Sequence, residues 1–314
     1  MPTAITIGNF DGVHLAHQHL VARARELATH NGETTGTVHV LAFDPHPASV
    51  LRANAPARLT TWPTRERLLI VAGADHVHRL EPTEALLALD PAAFVETRLI
   101  PLNPDHIVEG HDFRFGRKRA GDNGVLAALG NHHGFTVHTI DPVTATLDDH
   151  TTPNASSTLT RFLLSNGRVR DAARVLGRPH RIEGEVTQGD RLGRTIGFPT
   201  ANITPETMPP AEGVYAGTGT LPTGVTHHAA INVGTRPTVN GTTLRVEAHL
   251  LDAATEPGKP RLQGLPEYGF RIALDLTARV RDQVRFESLD HLRAQLDRDM
   301  RTVRDRLQPA SHTA

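Results

Sequence analysis

From Met1 to about Gly177, short apolar runs alternate with stretches whose apolar positions recur at helical spacing. The pattern predicts strands over Ala4–Ile7, Thr37–Phe43, His76–Leu80, His106–Glu109 and Phe135–Ile140. Between them it predicts helices that include Leu15–Thr29, Glu84–Leu89, Gly124–Leu129 and Thr158–Leu164. Alternation of this kind makes a parallel, doubly wound sheet, which takes ligands in the crevice beyond its strand C-termini. Gly8–Gly12 and Asp44–Pro47 fall at two of those ends.

After Arg178-Pro179 the texture changes to short alternating runs separated by Gly, Pro and Thr: Ile182–Val186, Gly213–Gly217, Ala229–Val233, Arg245–Leu250 and Phe270–Leu276. That texture predicts a small antiparallel barrel or sandwich. A last amphipathic helix, Leu289 to Leu307, carries Leu292, Leu296, Met300 and Val303 on one stripe, suited to packing on the barrel. The expected organisation is an α/β domain over residues 1–178 and a barrel domain over 179–314, in keeping with a chain of 314 residues.

Charge excludes some partners. A net charge of -1 and a pI near 7.1 do not suit a nucleic-acid coat or a membrane-surface binder. The absence of cysteine excludes disulfides and thiolate chemistry. With no apolar run of transmembrane length and no signal-like N-terminus, the expectation is a soluble, cytoplasmic protein. The 20 histidines are scattered without metal-ligand spacing, and the reading for them is solvated surface.

The candidate chemistry sits in the turns. In TIGNFDGVHLAHQHL, a strand hands over through Gly8–Gly12 to a helix whose first turn carries His14 and His17 on one face. A helix start offers unpaired N–H groups, so the two imidazoles there suit a phosphate. FDPHP (Phe43–Pro47) ends the second strand; GHDFRFGRKRAGD (Gly110–Asp122) mixes glycines, aromatics and basic residues; SSTLTR (Ser156–Arg161) sets hydroxyls at a helix start and an arginine one turn on. In the second half, GEVTQGDRLGRTIGFPTANI (Gly184–Ile203) has a glycine-rich loop at Gly189, Gly193 and Gly197 with Arg194. Thr200 and Asn202 then stand two apart, on one face if the segment is extended, as oxygen donors suited to magnesium.

GNFDGVHLAH resembles the GxFDGVHxGH signature of nucleotidylyl transferases. With FDPHP, GHDFRFG and SSTxxR, it resembles the adenylyltransferase half of the bifunctional riboflavin kinase/FAD synthetase family of bacteria. Gly213-Val214-Tyr215-Ala216, INVGTRPT and RVEAHLLD resemble that family's kinase motifs, in order. The resemblance implies a Rossmann-like FMN adenylyltransferase domain followed by a small antiparallel β-barrel riboflavin kinase domain with a terminal helix. It implies ATP as co-substrate, Mg2+ as cofactor and riboflavin and FMN as substrates, with no nucleic-acid or membrane partner.

By the same resemblance, His14, His17 and Arg161 act on the ATP phosphates, and Gly8, Asn9, Phe10, Asp11, Ser156, Ser157 and Thr158 shape that ATP site. Asp112 and Phe113 lie near the base or flavin, and Arg281 near the flavin. Gly189, Gly193, Arg194 and Gly197 belong to the kinase ATP loop, Thr200 and Asn202 hold Mg-ATP, and Glu247 is the general base. Three departures stand out: Ala16 where the family has glycine, the stretch AATEPGKPRLQGLPE between Asp252 and Tyr268, and Gln283 in place of a glutamate. Ala16 motivates one rival, a monofunctional kinase with a degenerate first domain; a second rival is a flavin or nucleotide sensor without turnover.

Overall fold

The computed structural model describes residues 1–29, 36–51, 54–189, 198–238, 241–253, 262 and 264–308. Gly193, Arg194 and Gly197 lie outside the described residues, as does most of the stretch between Asp252 and Tyr268. The chain divides into two compact units, Met1–Thr146 with His150–Ser157, and Leu147–Asp149 with Thr158–Ala314.

In the first unit, strands β1 (Thr3–Gly8), β2 (Thr37–Phe43), β3 (His76–Leu80), β4 (His106–Gly110) and β5 (Thr136–Ile140) form one parallel sheet in the order β3-β2-β1-β4-β5. The order reverses at β1, so the crevice of this sheet opens between β1 and β4. Successive side chains point to opposite faces, which is why both faces of these strands are apolar. Ala4, Val38, Val40 and Val108 pack with Val21 and Ala24 of α1 (Leu15–Leu27). Ile5, Ile7, Leu41 and Ile107 pack on the other face with Phe94, Leu99 and Leu126.

The expected helix over Glu84–Leu89 is present but two residues shorter, and two further turns that the sequence reading did not give follow it. A single turn, α4 (Glu84–Leu87), is followed by α5 (Pro91–Phe94), capped by the Asp90 side chain on Ala93 N–H, and then by a π-helical turn, Val95–Leu99. Pro91 has no N–H to continue α4, but it suits the first position of a new helix. The helix expected over Gly124–Leu129 is longer, α6 (Asn123–His133), because Asp122 caps its start and Gly134, at φ 89°, ends it. Two short helices, α2 (Ala48–Leu51) and α3 (Trp62–Val71), complete the unit.

The histidine reading needs one correction. His39 on β2 packs against His76 and His78 on β3, with His39 Nδ1 and His78 Nε2 at 2.8 Å. Parallel register puts these rings on one face, and burial with its histidine neighbours lowers the His39 pKa to about 4. Among the described residues no group of histidines or acids is arranged to hold a metal ion.

The second unit is a closed antiparallel barrel, ordered β10-β7-β6-β11-β8-β9, so the sandwich alternative falls away. Its strands are β6 (His180–Thr187), β7 (Ala201–Pro205), β8 (Gly213–Thr220), β9 (Thr226–Thr238), β10 (Gly241–Leu250) and β11 (Arg271–Arg281). Helix α7 (Ser157–Ser165) leads to α8 (Val169–Leu176), which packs on β6 and β11. The terminal helix, α9 (Leu289–Leu307), buries Met300 and Val303 against Ala216, Ala230 and Leu251, while Leu292 and Leu296 stay half-buried.

Candidate functional site

The turn after β1 is held in an uncommon conformation. Phe10 and Val13 have φ of 47° and 41°, and Gly12 has φ 84°. Positive φ in a bulky residue is costly and persists only where its surroundings enforce it. Here they do. The buried Asp11 carboxylate accepts from Leu59 N–H, Thr60 N–H and the Thr60 hydroxyl, and Gly12 N–H donates to Thr60 Oγ1 at 3.1 Å. Ser157 Oγ donates to Asp11 O at 2.7 Å.

This turn delivers His14 to the N-cap of α1. The His14 and His17 rings stack at 3.6 Å between centroids, and Phe10 packs on His17 at 4.9 Å. Both histidines face a cavity of 290 Å³, lined also by Gly8, Ala16, Glu109, Asp112, Phe113, Asp141 and Ser156. The sheet crevice thus gathers seven of the expected residues: Gly8, Phe10, His14, His17, Asp112, Phe113 and Ser156. Ala16 lies on the same wall. Imidazole N–H groups at a helix start form a surface that stabilises phosphate charge.

Asn9 and Asp11 open instead onto a second cavity, of 170 Å³, with Phe43, Pro45, His46, Arg58 and Arg65. Arg65, 3 % exposed, bridges Asp11 and Asp44 and also donates to the Asn9 and Phe43 carbonyl oxygens. Arg58 and Arg79 complete the pairing of the buried Asp44. Asp11 therefore shapes the turn by holding its neighbours, and FDPHP contributes through Asp44. Neither Arg65 nor Glu109 was expected from the sequence. An arginine in a helical stretch signals nothing by itself, but a glutamate in the apolar strand segment His106–Glu109 is a legible irregularity. Thr158 and Arg161 sit on the first turns of α7, in the second compact unit.

In the barrel, antiparallel register sets Thr187, Asn202, Glu247 and Asn232 side by side across β6, β7, β10 and β9. Paired residues share a face, so the expected base stands between two amides. Asn202 and Thr200 line a cavity of 260 Å³ with Pro199, His249, Asp252, Glu267 and Tyr268. Asn202 lies on β7, and Thr200 stands just before that strand begins at Ala201. Pro199 O lies 2.8 Å from His249 Nδ1, which ties this segment to β10. An ideal Cβ on Gly189 would come within 2.0 Å of Asn202 Nδ2, so a side chain there would displace that amide.

Asn202 Oδ1 is buried with no hydrogen-bond partner among the described residues. A neutral oxygen left unsatisfied is costly, and a hard cation is one way to satisfy it. The donors fit magnesium, which takes few protein oxygens and fills its shell with water and phosphate. Arg281 is not turned to the cavity. It is clamped by the buried Asp299 of α9, with Nε–Oδ1 at 3.0 Å and Nη2–Oδ2 at 2.7 Å, and lies over the Phe286 ring. Gln283 Nε2 donates to Asn232 Oδ1 and to Val233 O, bracing the amide beside Glu247.

Comparison with known proteins finds a family for each part of the chain. Residues 1–154 match the FAD synthetase family and residues 176–307 the riboflavin kinase family. A bifunctional riboflavin kinase/FMN adenylyltransferase of Escherichia coli is 37 % identical over 308 residues, 96 % of this chain and 91 % of that one. Its Haemophilus influenzae counterpart is 36 % identical over 306 residues, 96 % and 93 % of the two chains. A crystal structure described as a macrolide-efflux protein from Streptococcus pneumoniae superposes with a TM-score of 0.83 at 28 % identity, covering 97 % of this chain and 94 % of that one. Among the described residues no helix is long and apolar enough to cross a membrane. The sequence motifs, the two folds and the matches over nearly the whole length agree: the chain belongs to the bifunctional riboflavin kinase/FMN adenylyltransferase family.

Proposed function

We propose that the chain phosphorylates riboflavin with ATP to give FMN, then transfers AMP from a second ATP to FMN to give FAD and pyrophosphate. The functional division runs 1–178 for adenylyl transfer and 179–314 for the kinase, in the cytoplasm, on small-molecule substrates. The observation that carries the reading is the row Asn202, Glu247, Asn232 beside an orphaned amide oxygen and a cavity, in a unit separate from the stacked His14–His17 pair.

For the kinase step, Glu247 takes the proton of the ribityl 5′-hydroxyl as that oxygen attacks the γ-phosphorus of ATP, the bond to the bridging oxygen breaks and ADP leaves. Asn202 and Thr200 would hold magnesium, which when bound neutralises charge on the nucleotide phosphates. Gly189, Gly193, Arg194 and Gly197 would contact the ATP phosphates, as the family resemblance implies. Asn232, braced by Gln283, keeps Glu247 flanked by polar groups.

For adenylyl transfer, the FMN phosphate oxygen attacks the α-phosphorus of ATP and pyrophosphate leaves. His14 and His17, with the Ser156 and Ser157 hydroxyls of the same unit, stabilise the charge that builds on the phosphate oxygens. Asp112 and Phe113 flank the heterocycle. No covalent intermediate is required, so positioning and electrostatics carry the rate.

Two half-reaction assays test the reading: FMN formed from riboflavin and ATP, and pyrophosphate released from FMN and ATP, each with and without added magnesium. Both should proceed and both should need the metal. FMN formation without pyrophosphate release would support instead a kinase whose first unit is impaired, the reading that Ala16 on the cavity wall favours.

A further inference from the structure

Glu109, next to last in β4, carries a carboxyl that is 1 % exposed. Its Oε1 accepts from Ile7 N–H at 2.7 Å, so the side chain takes the place of a backbone partner on β1. The β1–β4 ladder pairs Ala4 with His106 and Ile5 with Ile107, and the carboxyl follows where that pairing stops. This is the gap where the strand order reverses, and the same carboxyl lines the cavity of His14, His17, Gly110 and Phe113.

The other ionisable groups on that cavity are His14 and His17 of α1, His111 and Asp112 after β4, and Asp141 after β5. None of them forms an ion pair with Glu109, and β1 brings only the Ile7 N–H. Burial without a cation pushes the Glu109 pKa well above the usual carboxylate range. A protonated carboxyl that accepts through one oxygen carries its proton on the other, and is then an O–H donor.

We propose that Glu109 is a specificity-determining residue of the adenylyl-transfer site, holding Ile7 N–H with one oxygen and offering an O–H to an acceptor atom of the bound heterocycle with the other. The inference rests on the adenylyl-transfer reading of the first unit. The acceptor is a ring nitrogen or ring carbonyl of a heteroaromatic, chemistry that both the purine of ATP and the flavin of FMN supply. Ionising Glu109 removes this donor and places negative charge beside the phosphates.

The test uses the full chain, measuring KM for ATP and for FMN in FAD formation between pH 6 and 10, in the wild type, Glu109→Gln and Glu109→Val. FMN formation from riboflavin by the same preparations, with thermal melts, reports folding. The wild type should show one KM rising on the alkaline side. Gln, which keeps both an acceptor and a donor, should stay within about threefold of the neutral wild-type value and lose that rise. Val should raise the same KM by about five- to tenfold, with kcat little changed. A rise in KM for ATP assigns the purine as partner, and a rise in KM for FMN assigns the flavin. Unchanged KM values in Val, or an alkaline rise that survives in Gln, overturn the inference. A wild type that makes FMN but no FAD overturns the adenylyl-transfer reading itself, and is told apart from these outcomes by the missing product.

Discussion

Asn202 on β7 stands directly opposite Glu247 on β10, and Glu247 in turn opposes Asn232 on β9. This ladder, rather than any loop, sets the proposed base next to the amide proposed to hold magnesium. Replacing Glu247 by Gln keeps the shape and removes the base. FMN formation should fall by about 100-fold or more, while FAD formation from FMN stays at the wild-type rate. A kinase rate that persists in a folded Glu247→Gln protein removes Glu247 from the mechanism.

Gly189 touches the same amide from the other side. A Cβ there would lie 2.0 Å from Asn202 Nδ2 and 2.3 Å from Asn202 Cγ. The amide is the end of a side chain, so it can move, but moving it takes Oδ1 away from the proposed magnesium position. Gly189→Ala should therefore lower the kinase rate and raise its magnesium requirement without lowering the melting temperature. Magnesium titrations of FMN formation check this, and an unchanged magnesium dependence contradicts it.

The stacked imidazoles make a similar claim for the first unit. His14→Ala should reduce FAD formation by about 100-fold and spare FMN formation, the scale set by removing a donor that stabilises a developing oxyanion. Because the rings stack at 3.6 Å, the effects of His14→Ala and His17→Ala should fall short of additive in the double variant. Parallel product assays of the three variants measure this, and equal loss of both activities would signal misfolding instead.

Much of this architecture is legible in the pattern of the chain. Strands β2 and β3 and helix α9 have the bounds that the apolar periodicity predicts; β2 and α9 bury a face or stripe, and β3 anchors through Leu80. Helix α3 is harder to read: Pro63 lies in its first turn, and its buried positions include Thr64 and Arg65, which look like surface until Asp11 and Asp44 arrive from other elements. Strand β7 is hidden for a related reason. Its residues, Ala-Asn-Ile-Thr-Pro, carry one large apolar side chain, and the strand is held by pairing with β6 and β10. The site splits in the same way. His14, His17 and Asn202 announce themselves through local spacing, whereas the clamp of Arg281 by Asp299 depends on where α9 docks.

The histidine cluster on the sheet predicts acid sensitivity. His39 is held neutral in the fold, with its pKa lowered to about 4 by burial and by His78 and His76, while an unfolded histidine titrates near 6.5. The unfolded chain then binds more protons between those values, so stability is full above pH 6.5 and is lost as the pH falls toward 4. Thermal melts at pH 7.5 and 5 should show a drop that His39→Gln reduces. An equal drop in both proteins would exclude His39 as its source.

The most direct test of the account is a time course with purified protein, riboflavin, excess ATP and magnesium, with the flavins separated chromatographically. The account predicts that FMN forms first and then gives way to FAD. Riboflavin that stays unchanged while binding tightly to the protein would contradict it.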